Sequence, residues 1–368
     1  MIISLASAID YNKPKTFKAS PFITSKDSKF GKLIEGTSIN KAGEVFATTF
    51  GNKPSQIGHI IPEQTLYHAS PRDTTYFNGI RFLPMSKQNE KAGIKNIFLA
   101  TNLMEKEITK VMEMDDGTTK QETFCKDDSF INPNDLTLSK KTGRIYISGQ
   151  IWSNNTKVGD GGLWLCQPDG KAMQLLKLER TNGVELSPDE NYLYLSEGAN
   201  RNDNYAISNK IWKFKVDHKT GFVSQKELFV DFEKLDGTQK WEIDGIRTDI
   251  KGNLYVTRYL GQKIVTFSPN KKVLFEIDLS FKNPTNLEFA GEYGKTLFIV
   301  GQCPDDETKG CVDKFENDIP DYEKAEGKLK RLDEVKSSLR KLNTKIRREK
   351  VEEEKEKLEW EKIPSVVG

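Results

Sequence analysis

The sequence predicts an all-β fold, a six-bladed β-propeller of four-stranded antiparallel blades, followed by a charged helix. Three observations predict it: a motif that recurs six times, intervals between copies that match the length of a blade, and further short strands after each copy. A β-sandwich is the alternative, but it would not require six matching copies. We therefore place the propeller at residues 10–318 and a charged helical extension at residues 320–368.

Each copy of the motif has an acidic or amide lead residue, a short apolar strand, a turn, and a second strand that ends in Ser, Thr or Gly. In the third copy Asn134 leads, Gly143 lies in the turn, and the second strand ends at Ser148. Successive lead residues are 43, 56, 48, 62 and 42 residues apart, and a blade takes about 40–50 residues plus loop insertions. The six lead residues are Glu35, Asn78, Asn134, Asn182, Asp244 and Asn286.

Two more strands are predicted in each blade. The third strands are expected at 57–61, 108–112, 162–166, 211–216, 264–267 and 312–315. The fourth strands are expected at 65–68, 122–124, 173–178, 227–230 and 273–277. The sixth blade lacks a fourth strand because the sequence becomes highly charged after Phe315. Since an unpaired edge would be a liability, we expect the N-terminal stretch 16–23 to supply that outer strand and close the ring.

The composition excludes several classes of protein. There are 56 Lys and Arg residues against 54 Asp and Glu, a formal net charge of +2, which argues against a nucleic-acid partner. No apolar run approaches the roughly 18–20 residues that span a bilayer, so we expect no membrane span. The N-terminus lacks the basic region of a signal peptide. This favours a cytoplasmic protein, although a sequon at Asn154 leaves secretion open.

The cysteines do not point to a metal cluster. Cys125, Cys166, Cys303 and Cys311 are too few for a disulfide framework and lack the paired spacing of a zinc site. Cys303 and Cys311 bracket a polar loop and could pair in an oxidising environment. The sequence alone leaves that pairing open.

The lead residues predict a cation site instead. In an antiparallel blade the six lead residues come to one mouth of the central channel, where they form a ring of two carboxylates and four amides. Such oxygen ligands suit Ca²⁺, Mg²⁺ or Mn²⁺, and two carboxylates in a narrow channel repel each other without a cation. Asn or Asp before Gly also serves in turns, but Glu35 has no such preference.

The chain resembles the regucalcin/gluconolactonase family of the senescence marker protein type, six-bladed metal-dependent lactonases related to diisopropylfluorophosphatase. The resemblance covers about residues 30–316 and rests on Glu35-Gly36, Asn134-Asp135, 181–184, 244–246 with 252–256, and 283–287. The chain departs from the family at Thr37, where many members have Pro, and at Asn132, where some have a substrate-binding Arg. The identity of the substrate therefore stays open.

The resemblance also implies the ligands of the site. One divalent cation would be held by Glu35, Asn134, Asn182 and Asp244, with calcium favoured and magnesium, manganese or zinc as alternatives. Asp244 would be the catalytic residue, as a general base or, as in the phosphotriesterase member, a nucleophile. The residues expected next to these ligands are Asn78, Asn286 and Asp135.

The predicted function is a metal-dependent hydrolase, a lactonase that opens a small cyclic ester. Loops between the second and third strands would cover the cation, and Trp152, Arg258 and Tyr259 are the candidates for the substrate pocket. One alternative is a phosphotriesterase-type hydrolase with the same ring. Another is a non-catalytic propeller that binds calcium or a protein partner. A strictosidine-synthase-like enzyme is disfavoured because that group generally lacks this ligand set.

The C-terminal extension has a helical pattern. Apolar residues three and four apart form a stripe from Leu332 to Ile346, which is too short for a coiled coil. We expect an amphipathic helix that lies on the propeller or projects from it, with self-association of the chain as an option.

Overall fold

The computed structural model describes residues 14–51, 55–201, 205–237, 241–291 and 294–316, with 205–207 described by their backbone alone. Six sheets stand around a central channel, so the predicted propeller is confirmed. The innermost strands contact one another in order around the ring, and the last contacts the first. The predicted helix within 320–368 lies outside the described residues, and the domain limits stay a prediction.

The first three blades each have four antiparallel strands in chain order. Two short strands precede them, β1 (Lys15–Lys18) and β2 (Ser20–Ile23). Blade 1 contains β3 (Phe30–Ile39), β4 (Val45–Phe50), β5 (Gln56–Ile61) and β6 (Leu66–Ala69). Blade 2 contains β7 (Phe77–Phe82), β8 (Ile94–Asn102), β9 (Glu107–Met114) and β10 (Thr119–Lys126), with helix α1 (Lys87–Lys91) after β7. Blade 3 contains β11 (Pro133–Leu138), β12 (Ile145–Gln150), β13 (Gly161–Cys166) and β14 (Ala172–Leu178).

The last three blades follow the same plan. Blade 4 contains β15 (Arg180–Leu186), β16 (Tyr192–Arg201), β17 (Tyr205–Val216) and β18 (Val223–Asp231), and helix α2 (Phe232–Asp236) follows it. Blade 5 contains β19 (Glu242–Thr248), β20 (Leu254–Tyr259), β21 (Lys263–Phe267) and β22 (Val273–Asp278). Blade 6 contains β23 (Asn283–Ala290), β24 (Thr296–Gln302) and β25 (Gly310–Glu316). Neither described helix is long and apolar enough to cross a membrane.

The N-terminal stretch closes the ring as predicted, but as two strands instead of one. Strand β2 pairs antiparallel with β25 and completes blade 6, whereas β1 pairs parallel with β22 and adds a fifth strand to blade 5. Between them Ala19 is buried, and its backbone N–H donates to the carbonyl of Asp278 at 2.9 Å. The N-terminus therefore fastens two neighbouring blades, which a single outer strand could not do.

The core lies between adjacent blades. Phe46 of blade 1 is fully buried, and its ring centroid lies 4.7 Å from that of Phe82 in blade 2. Tyr255 of blade 5 packs in the same way on Phe289 of blade 6, at 5.0 Å with nearly perpendicular rings. These contacts bury apolar faces that a single sheet would expose, and they fix the angle between blades.

Two disulfides connect the four cysteines. Cys303 pairs with Cys311, the pairing that the sequence left open, and Cys125 pairs with Cys166. The Cys125–Cys166 disulfide was not predicted, and two disulfides in 368 residues are not the dense framework that the sequence excludes. Its partners lie on β10 and β13, so this disulfide joins blades 2 and 3, a proximity that the spacing in the sequence does not reveal.

Replacing both Cys125 and Cys166 by Ala should lower the free energy of unfolding by about 4 kcal/mol. The disulfide closes a loop between residues that are separated by 41 positions in the sequence. Without it the unfolded chain gains conformational entropy, and for a loop of this length the gain corresponds to about 4 kcal/mol. Urea unfolding of the oxidised protein measures it. The matched control is the double variant Cys303→Ala and Cys311→Ala. These two cysteines are separated by only 8 residues in sequence, so the loss of free energy of unfolding should be smaller. Equal losses in the two variants would contradict the loop-length argument.

Candidate metal centre

The six lead residues lie side by side around the channel, because glycines allow the inner strands to converge. A Cβ atom on Gly36 would collide with the carbonyl of Asn78 in the next blade, and one on Gly183 would collide with the carbonyl of Asp244. A Cβ atom on Gly79 would likewise collide with residues 134 and 135, and one on Gly245 would collide with residues 285 and 286. These glycines lie inside strands, so their role is close approach of neighbouring backbones rather than a turn.

A β-bulge lies at or next to the lead residue in every blade. The register between the innermost strand and its neighbour shifts at 35/38, 77/80, 133/136, 181/184, 243/246 and 284/286. Bulges bend a strand and change the direction of the side chains there. The same irregularity in all six blades explains how one face of the propeller gathers six polar side chains.

Glu35 and Asp244 are brought within electrostatic reach of each other. Burial raises the pKa of the Glu35 carboxyl well above its ordinary value, and the charges of Asp244 and Asp135 raise it further. Burial also raises the pKa of Asp244, together with the charges of Glu242 and Asp135. Both side chains keep some exposure at the mouth. Two desolvated carboxylates facing each other favour a cation between them.

Asn182 supplies an amide oxygen without a partner among the residues that the structure describes. Its side chain lies beside the Asp244 carboxylate and lowers the pKa of that group, which favours the ionised form. The Oδ1 atom of Asn182 is buried and accepts no hydrogen bond among the described residues. A buried acceptor that receives no hydrogen bond lowers the stability of the folded protein by about 1–3 kcal/mol. It fits a hard cation, which coordinates amide oxygens as well as carboxylates.

The remaining donors fit the same kind of ion. Within the described ranges, no three His, Cys, Asp or Glu side chains cluster so as to hold a metal. A site at this mouth must therefore combine the two carboxylates with amides. Asn134, on the inner strand of blade 3, is partly exposed like the other three predicted ligands. The residues present therefore fit the predicted cation.

The residues predicted beside the ligands have other partners. The Oδ1 atom of Asn286 accepts hydrogen bonds from the Thr37 hydroxyl at 3.2 Å and the Leu287 backbone N–H at 2.9 Å. Asp135 lies 3.4 Å from the Nη2 atom of Arg81. These contacts hold Asn286 and Asp135 within the protein, next to the ring.

A buried network of charges fills the channel next to the ring, and the sequence analysis did not identify it. Arg81 lies 3.4 Å from Asp135 and 3.7 Å from Glu185. Arg247 lies 3.7 Å from Glu185 and 3.4 Å from Glu288. These residues come from five blades, and Arg81, Glu185 and Arg247 each stand three residues after a lead residue. Two guanidinium groups therefore neutralise carboxylates that would otherwise be buried unpaired.

Hydroxyl groups of the second strands fix the bulged backbone. The Thr257 hydroxyl accepts a hydrogen bond from the Asp244 N–H at 3.2 Å and donates to the Gly245 carbonyl at 2.9 Å. In blade 3 the Ser148 hydroxyl accepts from the Asp135 N–H at 3.1 Å. The signal was visible in the sequence, since the second strands of the motif end in Ser or Thr.

Replacing Thr257 by Val should lower the affinity for a divalent cation by about 10–100-fold, the usual cost of losing a group that orients a ligand. The substitution keeps the shape of the side chain and removes the hydrogen bonds that hold the Asp244 backbone. Isothermal titration with Ca²⁺ or Mn²⁺ measures the change. Thr266→Val in the same blade is the control, because Thr266 is buried and its hydroxyl has no partner among the described residues. Equal affinities for Thr257→Val and the wild type would contradict this role.

Of the three predicted pocket residues, Tyr259 lies within electrostatic reach of the two carboxylates, and Trp152 contacts Arg180. The pKa of Tyr259 is raised to about 12 by burial and by the charges of Asp244 and Glu35, so its hydroxyl stays protonated at neutral pH. Trp152 is 58% exposed, and the Cζ atom of Arg180 lies 4.0 Å from its ring centroid.

Arg258 has a different environment from the other two pocket candidates. Its side chain is fully buried, its Cζ atom lies 3.8 Å from the ring centroid of Phe232, and its Nη2 atom lies 3.4 Å from the carboxylate of Asp236. These contacts hold helix α2 against blade 5. The structure also brings Tyr76, Arg180 and Glu242 near the carboxylates, and the sequence analysis did not name them.

The fold and the ring define the class of this protein, a six-bladed β-propeller with oxygen donors at one mouth of its channel. The chain belongs to the family described as SMP-30/gluconolactonase/LRE-like region, which it matches over residues 54–302. The predicted family resemblance is thereby confirmed.

Individual relatives agree with this family. A gluconolactonase of Zymomonas mobilis is 30% identical over 206 residues, 52% of this chain and 55% of that protein. A 6-deoxy-6-sulfogluconolactonase of Pseudomonas putida is 27% identical over 172 residues, 43% of this chain and 52% of that protein. The chain thus spans about half the length of the curated relatives it matches. The calcium-binding protein regucalcin of Agrobacterium tumefaciens has the same fold, with a TM-score of 0.63 at 15% identity, over 82% of this chain and 95% of that one.

Proposed function

We propose that this chain is a metal-dependent hydrolase that opens lactones at the mouth of the propeller channel. The observation that carries the proposal is the buried amide oxygen of Asn182, which accepts no hydrogen bond from the described residues. The Asn182 side chain lies beside the Asp244 carboxylate, whose charge in turn acts on Glu35. The family and the names of two lactonase relatives support the choice of substrate class.

The four residues that would hold the cation are Glu35, Asn134, Asn182 and Asp244. Calcium is the first choice, because all four donors are oxygens and the structural relative from Agrobacterium tumefaciens is described as calcium-binding. When bound, a divalent cation polarises the lactone carbonyl and offsets the negative charge that develops on its oxygen.

The side chains of the mouth would carry out the proton transfer. The Asp244 carboxylate accepts a proton from the attacking water, whose oxygen forms a bond to the carbonyl carbon. The ring C–O bond then breaks, and the released oxygen takes up a proton to give a hydroxy acid. Tyr259 stays protonated at neutral pH and can donate a hydrogen bond to the substrate. Asn182 lies beside Asp244 and favours its ionised form.

The two disulfides indicate the kind of compartment in which the protein functions. Two disulfides are typical of proteins in oxidising compartments and rare in a reducing cytosol. We therefore propose the secreted alternative over the cytoplasmic one that the N-terminal sequence favours. Thiol titration of protein isolated from its natural source without reductant tests this, and four free thiols would contradict it.

Hydrolysis of a panel of lactones, measured with and without a chelator, tests the proposed function. We expect activity on at least one lactone, its loss in excess EDTA, and its recovery on addition of Ca²⁺ or another divalent cation. Turnover of a phosphotriester but no lactone would favour the phosphotriesterase alternative. Cation binding without turnover of any substrate would favour the scaffold, and activity unaffected by EDTA would contradict the metal-dependent mechanism.

A further inference from the structure

Arg180 is a buried cation beside the candidate metal centre. It begins strand β15, two residues before Asn182, and its side chain is only 4% exposed. Its Nη2 atom forms an ion pair with Glu242 at 2.7 Å, and its charge lowers the pKa of Asp244. Because Glu242 stands two residues before Asp244 on strand β19, this ion pair places the guanidinium group against the strand that carries the proposed catalytic carboxylate.

Trp152 holds this guanidinium group from the solvent side. The Cζ atom of Arg180 lies 4.0 Å from the centroid of the Trp152 ring, a cation–π contact, and the ring itself is 58% exposed. A Cβ atom on Gly198 would come within 3.3 Å of the Nη2 atom, so the neighbouring strand also confines the group. Arg180 is thus held between the exposed Trp152 ring and the Glu242 carboxylate.

One end of the Arg180 guanidinium group has no partner among the described side chains and backbone. The Nη1 atom of Arg180 is buried and donates no hydrogen bond within the described part of the chain. The buried Arg81 differs, because the Nη2 atom that lacks a hydrogen bond there still faces carboxylates at 3.4 and 3.7 Å. A confined donor left free beside a reactive carboxylate is the arrangement expected when a ligand supplies the acceptor.

We propose that Arg180 is a specificity-determining residue of this site, with its Nη1 atom donating a hydrogen bond to a hydroxyl group of the lactone ring, so that this one contact supplies part of the preference for a hydroxylated lactone over an unsubstituted one. The inference rests on the proposed function, because it concerns the substrate of the same site. Trp152 acts through Arg180, as the platform that keeps the guanidinium group in position.

The test compares two lactones of equal ring size, gluconolactone and δ-valerolactone, which lacks hydroxyl groups. The variant is Arg180→Met combined with Glu242→Gln, since removing the arginine alone would leave the Glu242 charge unpaired. We expect the ratio of kcat/KM for gluconolactone to that for δ-valerolactone to fall about 10–100-fold, the contribution of one hydrogen bond from a charged donor. The change should lie mainly in KM for gluconolactone.

Two controls separate substrate binding from a structural role. Arg144→Met removes a guanidinium group that donates to the carbonyls of His218 and Lys219, between β12 and the turn after β17, and it should leave the ratio unchanged. Glu242→Gln alone should also keep most of the selectivity, because Nη1 remains in place. Thermal unfolding and Ca²⁺ titration show whether the double variant is folded and binds the cation.

The possible results separate a failure of the proposed role of Arg180 from a failure of the proposed lactonase function. Equal losses on both lactones, or an unchanged ratio, would overturn the role of Arg180 while leaving the lactonase proposal intact. A wild-type protein that binds Ca²⁺ but hydrolyses neither lactone would overturn the proposed function and this inference together. If the double variant fails to fold, Trp152→Ala gives the same test, since the freed guanidinium group should lose part of the selectivity, and an unchanged ratio would overturn the inference.

Discussion

Asp244→Asn is expected to weaken binding of a divalent cation by at least about 100-fold and to lower kcat/KM for lactones by about 10²–10⁴-fold, the range of a general base. The substitution keeps the size of the side chain and removes one of two carboxylates at the mouth. It also removes the acceptor of the proton from water. Isothermal titration and steady-state kinetics measure the two effects separately.

Glu35→Gln separates the two roles of the carboxylates. It should weaken cation binding by a similar factor, but activity should return at saturating Ca²⁺, because Glu35 is expected to act only as a ligand. Asp278→Asn is the control, since Asp278 is exposed at the end of β22, three strands away from the inner strand of blade 5. Full activity of Asp244→Asn would contradict the catalytic assignment, and unchanged cation affinity in both variants would contradict the site.

Arg247→Met should lower the free energy of unfolding by about 3–5 kcal/mol, the cost of removing one partner from a buried ion pair. The guanidinium group is 2% exposed and lies between Glu185 and Glu288. Its Nη2 atom also donates to the carbonyl of Thr37 at 2.8 Å, which ties blade 5 to blade 1. Urea unfolding measures the loss.

A second substitution tests whether charge is the cause. Adding Glu288→Gln to Arg247→Met removes a carboxylate that would otherwise stay unpaired, so part of the lost stability should return. The matched surface variant is Lys314→Met, whose ammonium group pairs with Glu316 at 3.6 Å with both side chains well exposed. An exposed pair contributes about 0–1 kcal/mol. A comparable loss in Lys314→Met would contradict the importance of burial.

The sequence predicts the repeated parts of this structure well. Six copies of one motif establish the number of blades and the strand order, and every predicted third and fourth strand is present in the structure. The convergence of the lead residues could also be predicted, because they recur at the same point of each blade, and the cation site proposed there stays a prediction. Both inferences use local sequence patterns, which can be recognised without knowing how distant segments of the chain pack together.

Contacts between blades could not be predicted in the same way. The disulfide between Cys125 and Cys166, the ion pair of Arg180 with Glu242, and the division of the N-terminal stretch at Ala19 all depend on the register and angle of neighbouring sheets. A one-residue shift in register moves every side chain of a strand to its other face. The sequence gives no direct signal of that register across blades.

The central claim is that four oxygen-bearing side chains meet at one mouth of the propeller to hold a single hard cation. Crystals grown with Ca²⁺ or Mn²⁺ and examined by anomalous diffraction test it most directly. We expect one strong peak, with Ca²⁺–oxygen distances of about 2.3–2.6 Å to Glu35, Asn134, Asn182 and Asp244. A mouth without a peak at saturating cation, or a peak bound by other residues, would contradict the account.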